Sequence, residues 1–306
     1  MLTPFLKILP ILLIFALGYF LKQRKFFEPK DADLFLKLNF LVGAPSLVLL
    51  SISTIKLDSN LILIPVAAML IVLVTFFVSW LCGHRLLTLN RGELGVLLVG
   101  TMIVNTGFTI PFIASAFGNE GLARIILFDF GSELVGITLA YYLACRYGNN
   151  SQSNLESIKK VFLSPLFLAL ILGAFLNVLQ IKMPEVIVTT LERLGGILVP
   201  LVILSLGIRF SPHIHKFKEV MFGILVRMGG GLLLGLLLVF LFNLKGLSGV
   251  VTVITAASPI GYMVLTFSSM EKLDEEYAAS LVSLSVLIGL IFIPFLIVVS
   301  SVFFAF

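Results

Sequence analysis

The sequence has few charged residues and almost no cysteine. Charged residues make up 12% of its 306 residues, about half the share of a typical soluble domain, while hydrophobic residues make up 59%. Its two cysteines, Cys82 and Cys145, each lie near the end of an apolar run, so no disulfide framework is readable. These shortages exclude an ordinary soluble domain, and a mean hydropathy of +1.15 indicates an integral membrane protein.

The apolar runs also lack the alternation that marks a transmembrane strand. A bilayer core about 30 Å thick requires roughly 20 apolar residues per helix. The sequence supplies runs of that length, such as ILIPVAAMLIVLVTFFVSWL at residues 62–81. Because a spanning segment must satisfy its own backbone hydrogen bonds, the sequence predicts an all-α membrane protein.

Ten apolar runs, bounded by charged and turn residues, predict ten transmembrane helices. The predicted spans are residues 4–22, 34–55, 60–83, 94–117, 122–145, 161–180, 186–208, 219–242, 247–269 and 277–302. The longest polar interruption, RYGNNSQSNLESIKK, separates five spans from five. We therefore expect a first five-helix repeat at 1–145, a cytoplasmic linker at 146–160 and a second repeat at 161–306.

The two halves resemble each other in sequence. LGYFL around Gly18 returns as LGAFL around Gly173, and APSLVLLS around Pro45 returns as VPLVILS around Pro200. Both pairs have the same spacing of 155 residues (173 − 18 and 200 − 45). Because each half has an odd number of spans, the second half enters the membrane from the opposite side, which makes the halves inverted copies.

Lysine and arginine are unevenly distributed over the predicted loops. The odd-numbered connections carry thirteen of them and the even-numbered connections carry four. Positively charged loops favour the cytoplasmic side of a membrane, so the odd loops are expected in the cytoplasm. Both termini are then expected on the non-cytoplasmic side of the cell (inner) membrane. This orientation accounts for the net charge of +5, and no nucleic-acid partner is expected.

Predicted spans four and nine contain helix-breaking and polar residues. Pro111 follows NTGFTI in span four, and Pro259 lies within TAASPIGYM in span nine. A proline frees backbone groups that lipid cannot satisfy, and paired interruptions point to the binding site of a transporter. The other residues expected at this site are Thr106, Gly107, Thr109, Ser258 and Gly261. Alternatively, the two prolines only kink their helices, because proline and glycine are common in membrane helices.

The interrupted helices favour an organic anion as the substrate. The N-terminus of each half-helix carries a partial positive charge and free N–H groups that can hold an anion. Asn105 can donate an amide hydrogen bond to a carboxylate, and Tyr262 offers a ring and a hydroxyl. The expected partners are therefore a small organic anion, as the substrate, and the lipid bilayer that surrounds the protein.

Two acidic residues lie within predicted span five. Asp129 and Glu133 are four residues apart and hence on one helical face. Charge at this depth is costly, which favours a proton-coupling or cation site beside the interruption. Alternatively, the acids form a structural pair with Arg124 or Arg227.

Three longer motifs resemble those of the auxin efflux carrier family of membrane transport proteins, which is related to the plant PIN-FORMED carriers. They are GTMIVNTGFTIPFIASAFGNEGL at 100–122, LGGILVPLVILSLGIRF at 194–210, and AASPIGYMVLTFSSM at 256–270 with the following YAASLVSLSVLIGLIFIPF. The resemblance covers essentially the whole chain.

The resemblance implies ten helices in two inverted repeats, with helices four and nine crossing as in bile acid sodium symporters. It implies that Asn105, with Pro111 and Pro259, binds the carboxylate of an organic acid. It also implies an elevator-like shift of helices 3–5 and 8–10 against a scaffold of helices 1, 2, 6 and 7. The segment PIGYMVL lacks an asparagine that many members carry there, so the identity of the acid stays open.

We therefore expect a secondary active transporter of a small carboxylate, driven by the proton gradient or the membrane potential. A sodium-coupled anion symporter is the nearest alternative, and an intramembrane enzyme or a membrane sensor would be a different class. The sequence has no catalytic arrangement, nucleotide motif or metal-ligand spacing around His84, His213 and His215, so we expect no enzyme activity, cofactor or metal. It leaves monomer and homodimer open.

Overall fold

The structure is a computed structural model that describes residues 2–28, 30–54, 59–148, 165–210 and 215–303. Most of the predicted linker, residues 149–160, and His213 lie outside the described residues. Within these residues the chain is helical, apart from turns and one isolated β-bridge between Val104 and Ile260. The prediction of an all-helical protein is confirmed.

The helices follow the apolar runs of the sequence. In the first half of the chain they are α1 (Leu2–Gln23), α2 (Asp31–Leu38), α3 (Ala44–Thr54), α4 (Ser59–Leu86), α5 (Arg91–Met102) and α6 (Thr106–Tyr147). In the second half they are α7 (Pro165–Val178), α8 (Glu185–Gly195), α9 (Leu198–Arg209), α10 (Phe217–Ile224), α11 (Gly231–Leu241), α12 (Gly246–Ala256), α13 (Met263–Glu271) and α14 (Glu275–Phe303). Two π-helical turns, Asn39–Gly43 and Leu225–Gly230, join α2 to α3 and α10 to α11.

Several helical segments have the length and composition to cross a bilayer. Within the described part of the chain, four stretches of 23 to 26 residues do so: Leu61–Gly83, Glu185–Arg209, Phe217–Leu241 and Glu275–Ser300. Shorter apolar helices occupy Leu12–Gln23, Leu41–Thr54, Leu168–Val178 and Gly246–Ala256. Large apolar side chains such as Ile62, Phe240 and Ile291 remain more than 70% exposed, as expected for surfaces that face lipid. The chain is an integral membrane protein.

The residues divide into two compact units. Unit 1 comprises Met1–Asp58, Ile110–Ile126 and Lys159–Phe210, and unit 2 comprises Ser59–Thr109, Leu127–Ile158 and Ser211–Phe306. Helix α6 contributes to both, and its backbone leaves helical geometry at Gly118, where φ is 62°. The sequence predicts the turn between spans four and five at this point, because GNEG separates two apolar runs there.

Within unit 1, α1 packs along α9 and α3 packs along α7. Both contacts depend on a glycine. A methyl group at Gly18 would clash with the carbonyl oxygen of Leu204, and one at Gly173 would lie 3.2 Å from the carbonyl oxygen of Leu49. The two contacts are counterparts, because Leu49 and Leu204 are separated by the same 155 residues as the two glycines (204 − 49).

Helices α1 and α7 end in the same turn. Lys25 and Gln180, 155 residues apart (180 − 25), both have left-handed backbone angles, with φ of 60° and 55°. The amide of Lys25 donates to Lys22 O at 2.9 Å, and the amide of Gln180 donates to Asn177 O at 3.0 Å. The neighbouring residues repeat two further backbone hydrogen bonds at the same spacing. The two turns thus have the same backbone hydrogen bonds at the spacing of 155 residues, although their residues differ.

Within unit 2, α4 packs against α5, α11 and α12, and α14 packs against α5 and α10. The second half of α6 lies directly against α4, since a methyl group at Gly131 would clash with the backbone of Pro65. Most side chains of α5 and α12 are buried. These two helices therefore lie inside unit 2, where the interrupted segments that follow them are enclosed by protein.

Candidate functional site

Two helices are interrupted within unit 2, and their interruptions pair with each other. Residues 103–105 separate α5 from α6, and residues 257–262 separate α12 from α13. The amide of Asn105 donates to Pro259 O at 2.9 Å, and the amide of Gly261 donates to Ile103 O at 3.0 Å. These bonds form the antiparallel bridge at Ile260. We call residues 103–105 and 257–262 the crossing.

The crossing solves the backbone problem that an interrupted helix creates in lipid. Backbone groups that leave a helix need other partners, because no water is present in the bilayer core. Here each interrupted segment supplies partners for the other. The crossing thus buries non-helical backbone within protein, with an amide of each segment paired to a carbonyl of the other.

The structure corrects the position of the first interruption. We expected Pro111 to break span four and to correspond to Pro259, but Pro111 lies inside α6, five residues after its first residue, Thr106. Only Pro259 lies in the crossing, and the two prolines are 148 rather than 155 residues apart (259 − 111). A proline removes one donor and can be accommodated in a membrane helix. The interruption results instead from the backbone amides of Asn105 and Gly261, which donate to carbonyls of the opposite segment rather than to their own helices.

Asn105 links both sides of the crossing. Its side-chain oxygen accepts from the amide of Phe108 at 3.1 Å, which caps the start of α6, and its side-chain nitrogen donates to Ile260 O at 3.1 Å. The residue is 5% exposed. An amide nitrogen carries two N–H groups, so one further hydrogen bond from Asn105 is chemically possible.

A pair of hydroxyls joins the interrupted helices. The oxygens of Thr109 and Ser258 lie 2.6 Å apart, and both residues are fully buried. A further hydroxyl, that of Ser285 on α14, accepts from the amide of Ile260 at 3.1 Å. Sequence reasoning missed Ser285, because a serine in the middle of a long apolar helix has no distinguishing pattern.

The two predicted glycines and Tyr262 occupy different positions at the crossing. Gly261 is buried, and a methyl group there would lie 2.5 Å from a side-chain carbon of Ile103. Gly107 is exposed in the first turn of α6, and Tyr262 is partly exposed at the start of α13. Only Gly261 is required by close packing.

Asp129 lies beside the start of α6. The hydroxyl of Thr106, the first residue of that helix, donates to a carboxylate oxygen of Asp129 at 2.5 Å, and Asp129 is 8% exposed. Glu133 is partly exposed one turn further along. The structure thus joins Asp129 to the predicted binding residues, a link that the sequence could not show.

The arginines weighed as partners of Asp129 have other contacts. The guanidinium of Arg124 lies 3.5 Å from the carboxylate of Glu120 and donates to the backbone oxygen of the same residue. Arg227 is fully buried and donates to Ala256 O at 2.5 Å and to Thr101 O at 3.4 Å. Among the described residues, no group of three or more histidine, cysteine, aspartate or glutamate side chains could hold a metal ion.

The chain is similar to known membrane transport proteins. A family model described as "Membrane transport protein" matches residues 4–297. An uncharacterized transporter of Methanocaldococcus jannaschii is 28% identical over 301 residues, covering 95% of this chain and 96% of the relative. An uncharacterized transporter of Methanothermobacter thermautotrophicus is 29% identical over 294 residues, covering 94% and 95% of the two chains.

Proposed function

We propose that this chain, which belongs to the membrane transport protein family of the auxin efflux carriers, is a secondary active transporter of a small organic anion. The family is one of membrane transporters. The finer assignment concerns the substrate, its binding site, the driving force and the movement that exposes the site to each side.

The crossing is the observation that carries this proposal. Helices α6 and α13 both begin within three residues of the bridge between Val104 and Ile260. A helix N-terminus has a partial positive charge of about half an elementary charge, and its first N–H groups have no partner within the helix. A carboxylate bound beside Asn105 and Thr106 would therefore meet hydrogen-bond donors and a favourable potential.

Asp129 supports coupling of this anion to a proton. An ionised Asp129 would repel a carboxylate bound near Thr106, by about 3 kcal/mol at roughly 6 Å and an effective dielectric constant of about 20. Protonation removes that repulsion, so the anion and the proton bind together. We propose that Asp129 carries the coupled proton and that Glu133, one turn away on the same face, exchanges it.

The division into two units supports an elevator mechanism. Unit 2 contains α4, α5, residues 106–109 and 127–147 of α6, and α10–α14, which make up most but not all of the helices that the family resemblance assigns to the moving domain. Unit 1 contains the helices assigned to the scaffold, together with residues 110–126 of α6. We propose that unit 2 carries the crossing from one side of the membrane to the other.

The matching turns after α1 and α7 and the antiparallel bridge support the inverted repeat. Two segments related by inversion must run in opposite directions where they meet, as residues 104 and 260 do. On this basis we propose ten spans in the cell membrane, with the linker at 146–160 in the cytoplasm and both termini outside.

The test is uptake of organic acids by the purified protein in proteoliposomes, after a thermal-shift screen has identified an acid that stabilises it. We expect a carboxylate to raise the melting temperature, and an inward proton gradient to increase its uptake. A protein stabilised only by cations or neutral solutes would reject the anion assignment.

Asn105 provides the matched variants for this site. Serine is as good a helix cap as asparagine, but it cannot reach across the crossing with an amide, whereas alanine lacks both functions. We expect Asn105→Ser to fold and to bind the acid about 10-fold or more weakly, because a hydrogen bond to a charged group contributes about 1.5–3 kcal/mol. Asn105→Ala should also lose stability through the missing cap. Unchanged affinity of Asn105→Ser in calorimetry would place the site elsewhere.

A further inference from the structure

Arg227 is a buried cation that the proposed transport cycle does not use. It lies in the π-helical turn Leu225–Gly230, within a hydrophobic stretch from Phe217 to Leu241 whose other charged residues, Lys218 and Glu219, stand at its start, and none of its surface is exposed. An arginine keeps its charge in proteins, and a charge at this depth requires partners. The π-helical turn itself is an irregularity of the kind often found at functional sites.

The partners of Arg227 are backbone carbonyls at the ends of the two interrupted helices. Its guanidinium donates to Thr101 O at 3.4 Å, in the last turn of α5, and to Ala256 O at 2.5 Å, at the end of α12. Thr101 and Ala256 are 155 residues apart (256 − 101), so they are equivalent positions in the two halves. One guanidinium thus donates to two backbone carbonyls that occupy corresponding positions in the two halves.

Both carbonyls have lost the donor that a continuous helix would give them, which is the amide four residues later. For Thr101 this is the amide of Asn105, which bonds across the crossing instead. For Ala256 it is the amide of Ile260, which donates to the hydroxyl of Ser285. The crossing therefore creates two unpaired carbonyls, and Arg227 satisfies them.

The charge of Arg227 also matches the field at this place. Each helix C-terminus carries about half a negative charge, so the ends of α5 and α12 together amount to about one. In interrupted membrane helices, such carbonyls and C-terminal ends are the groups that coordinate a coupled sodium ion. Here the guanidinium of Arg227, which is permanently charged, occupies the place beside the carbonyl ends of α5 and α12.

Close packing supports this arrangement. A methyl group at Gly231 would clash with Ala256 O and would lie 2.8 Å from the nearer guanidinium nitrogen. The Nε of Arg227 has no hydrogen-bond partner among the described residues. The two carbonyls are therefore the polar contacts that hold the guanidinium, and Gly231 lets one of them approach.

We infer that Arg227 is a built-in cation that replaces a coupled sodium ion at the crossing and makes this carrier independent of sodium. The inference rests on the proposed transport function and deepens it, because it assigns the ion dependence of the same site. If it is correct, Arg227 is the residue that distinguishes this protein from a sodium-coupled symporter, and substitution of Arg227 tests the difference.

The first test measures the melting temperature of the purified protein, without substrate, in sodium, potassium or choline chloride at equal ionic strength. We expect the wild type to melt at the same temperature in all three salts. We expect Arg227→Ala to melt lower in choline and to recover in sodium in a saturable way, because the two carbonyls are then open to the ion. Arg193→Ala, which removes an exposed guanidinium from α8, is the control and should show no sodium effect.

The inference is overturned if sodium specifically stabilises the wild type, or if Arg227→Ala folds and does not respond to sodium. If Arg227→Ala does not fold, Arg227→Lys and Arg227→Met decide. Lysine should retain sodium independence with a small loss of melting temperature, and methionine should lose more. Methionine as stable as the wild type would show that the charge has no role. These measurements contain no organic acid, so an error in the proposed substrate does not affect them.

Discussion

Asp129 is the acidic side chain that contacts the start of α6, and its charge would affect any anion bound there. In Asp129→Asn, the side-chain amide oxygen can still accept the hydrogen bond from the Thr106 hydroxyl, which is 2.5 Å long in the wild type. The substitution therefore keeps this hydrogen bond and removes the negative charge. We expect this variant to bind the organic acid at least as well as the wild type but to lose the dependence of uptake on an imposed proton gradient. Glu133→Gln should weaken that dependence.

Uptake into proteoliposomes, with melting temperature measured alongside, tests this prediction. Glu120→Gln is the control, because Glu120 is an exposed acid on the same helix that pairs with Arg124. Unchanged pH dependence in Asp129→Asn, in a protein that melts normally, would contradict the proton role.

Single residues at the crossing were predictable where polarity interrupts an apolar run. Asn105, Thr106 and Ser258 stand out for that reason; the structure places Asn105 and Ser258 in the crossing and Thr106 directly after it, at the start of α6. The role of Arg227 was not predictable, because its partners are backbone carbonyls that carry no sequence signal. Pro111 was misplaced because proline is a strong breaker in water but a tolerated residue in membrane helices.

At the scale of helices, the start of α5 is fixed by a capping box. The side chain of Asn90 accepts from the amide of Glu93 at 2.9 Å, and the carboxylate of Glu93 accepts from the amide of Asn90 at 2.8 Å. The same carboxylate lies 2.6 Å from the ammonium group of Lys216. Burial alone would raise the pKa of Glu93, but these hydrogen bonds outweigh it and hold the pKa below its usual 4.5.

A lowered pKa gives stability that is present above the unfolded-state pKa and lost as the pH falls through the folded-state value. We therefore expect the melting temperature of the wild type to fall as the pH drops below about 4.5. Glu93→Gln should be less stable at neutral pH by about 1–2 kcal/mol and should show a flatter acid profile. Glu192→Gln, at an exposed position of α8, serves as the control. Identical acid profiles of Glu93→Gln and the wild type would contradict the prediction.

The contact between α4 and α6 gives a second prediction at this scale. A methyl group at Gly131 would clash with the backbone of Pro65, so the two helices must move apart to accept Gly131→Ala. We expect a loss of about 1–3 kcal/mol in stability, measured as melting temperature in detergent, and slower uptake. Gly229→Ala is the matched control, because within the described part of the chain the added methyl group has no atom within 4 Å beyond its sequence neighbours and the backbone of its own helix. Equal melting temperatures for both variants would show that the contact is not tight.

Hydropathy located the helices well, because a span in lipid has to be a continuous apolar run. It could not show where a span divides internally. Predicted spans two and eight each contain a π-helical turn, at Asn39–Gly43 and Leu225–Gly230, and the length of an apolar run does not show such a turn. Span four divides at residues 103–105 through hydrogen bonds to a distant segment, which only the tertiary structure reveals.

At the scale of the whole molecule, the spacing of 155 residues connects sequence and structure. It relates Gly18 to Gly173 in sequence, and in the structure it relates Lys25 to Gln180 in the turns that follow α1 and α7. The sequence could show this spacing at the glycines, because a close helix contact demands a small residue, but not at the turns, where Lys25 and Gln180 are different residues. It could not reveal how the chain divides into two units, since each unit draws on both halves.

Inversion of the repeat predicts that the loops after α1 and α7 lie on opposite sides of the membrane, although their turns are alike. Arg24 and Lys182 are exposed in these two loops. In a protein whose Cys82 and Cys145 have been changed to serine, we expect Lys182→Cys to react with an impermeant thiol reagent in intact cells. Arg24→Cys should react only after the membrane is permeabilised, because its loop belongs to the positively charged, cytoplasmic set. Both cysteines should react in detergent, which controls for accessibility.

Two outcomes would contradict this prediction. Reaction of both cysteines in intact cells would contradict the inversion, since two loops on one side require an even number of spans between them. Reaction of Arg24→Cys alone would contradict the direction of insertion.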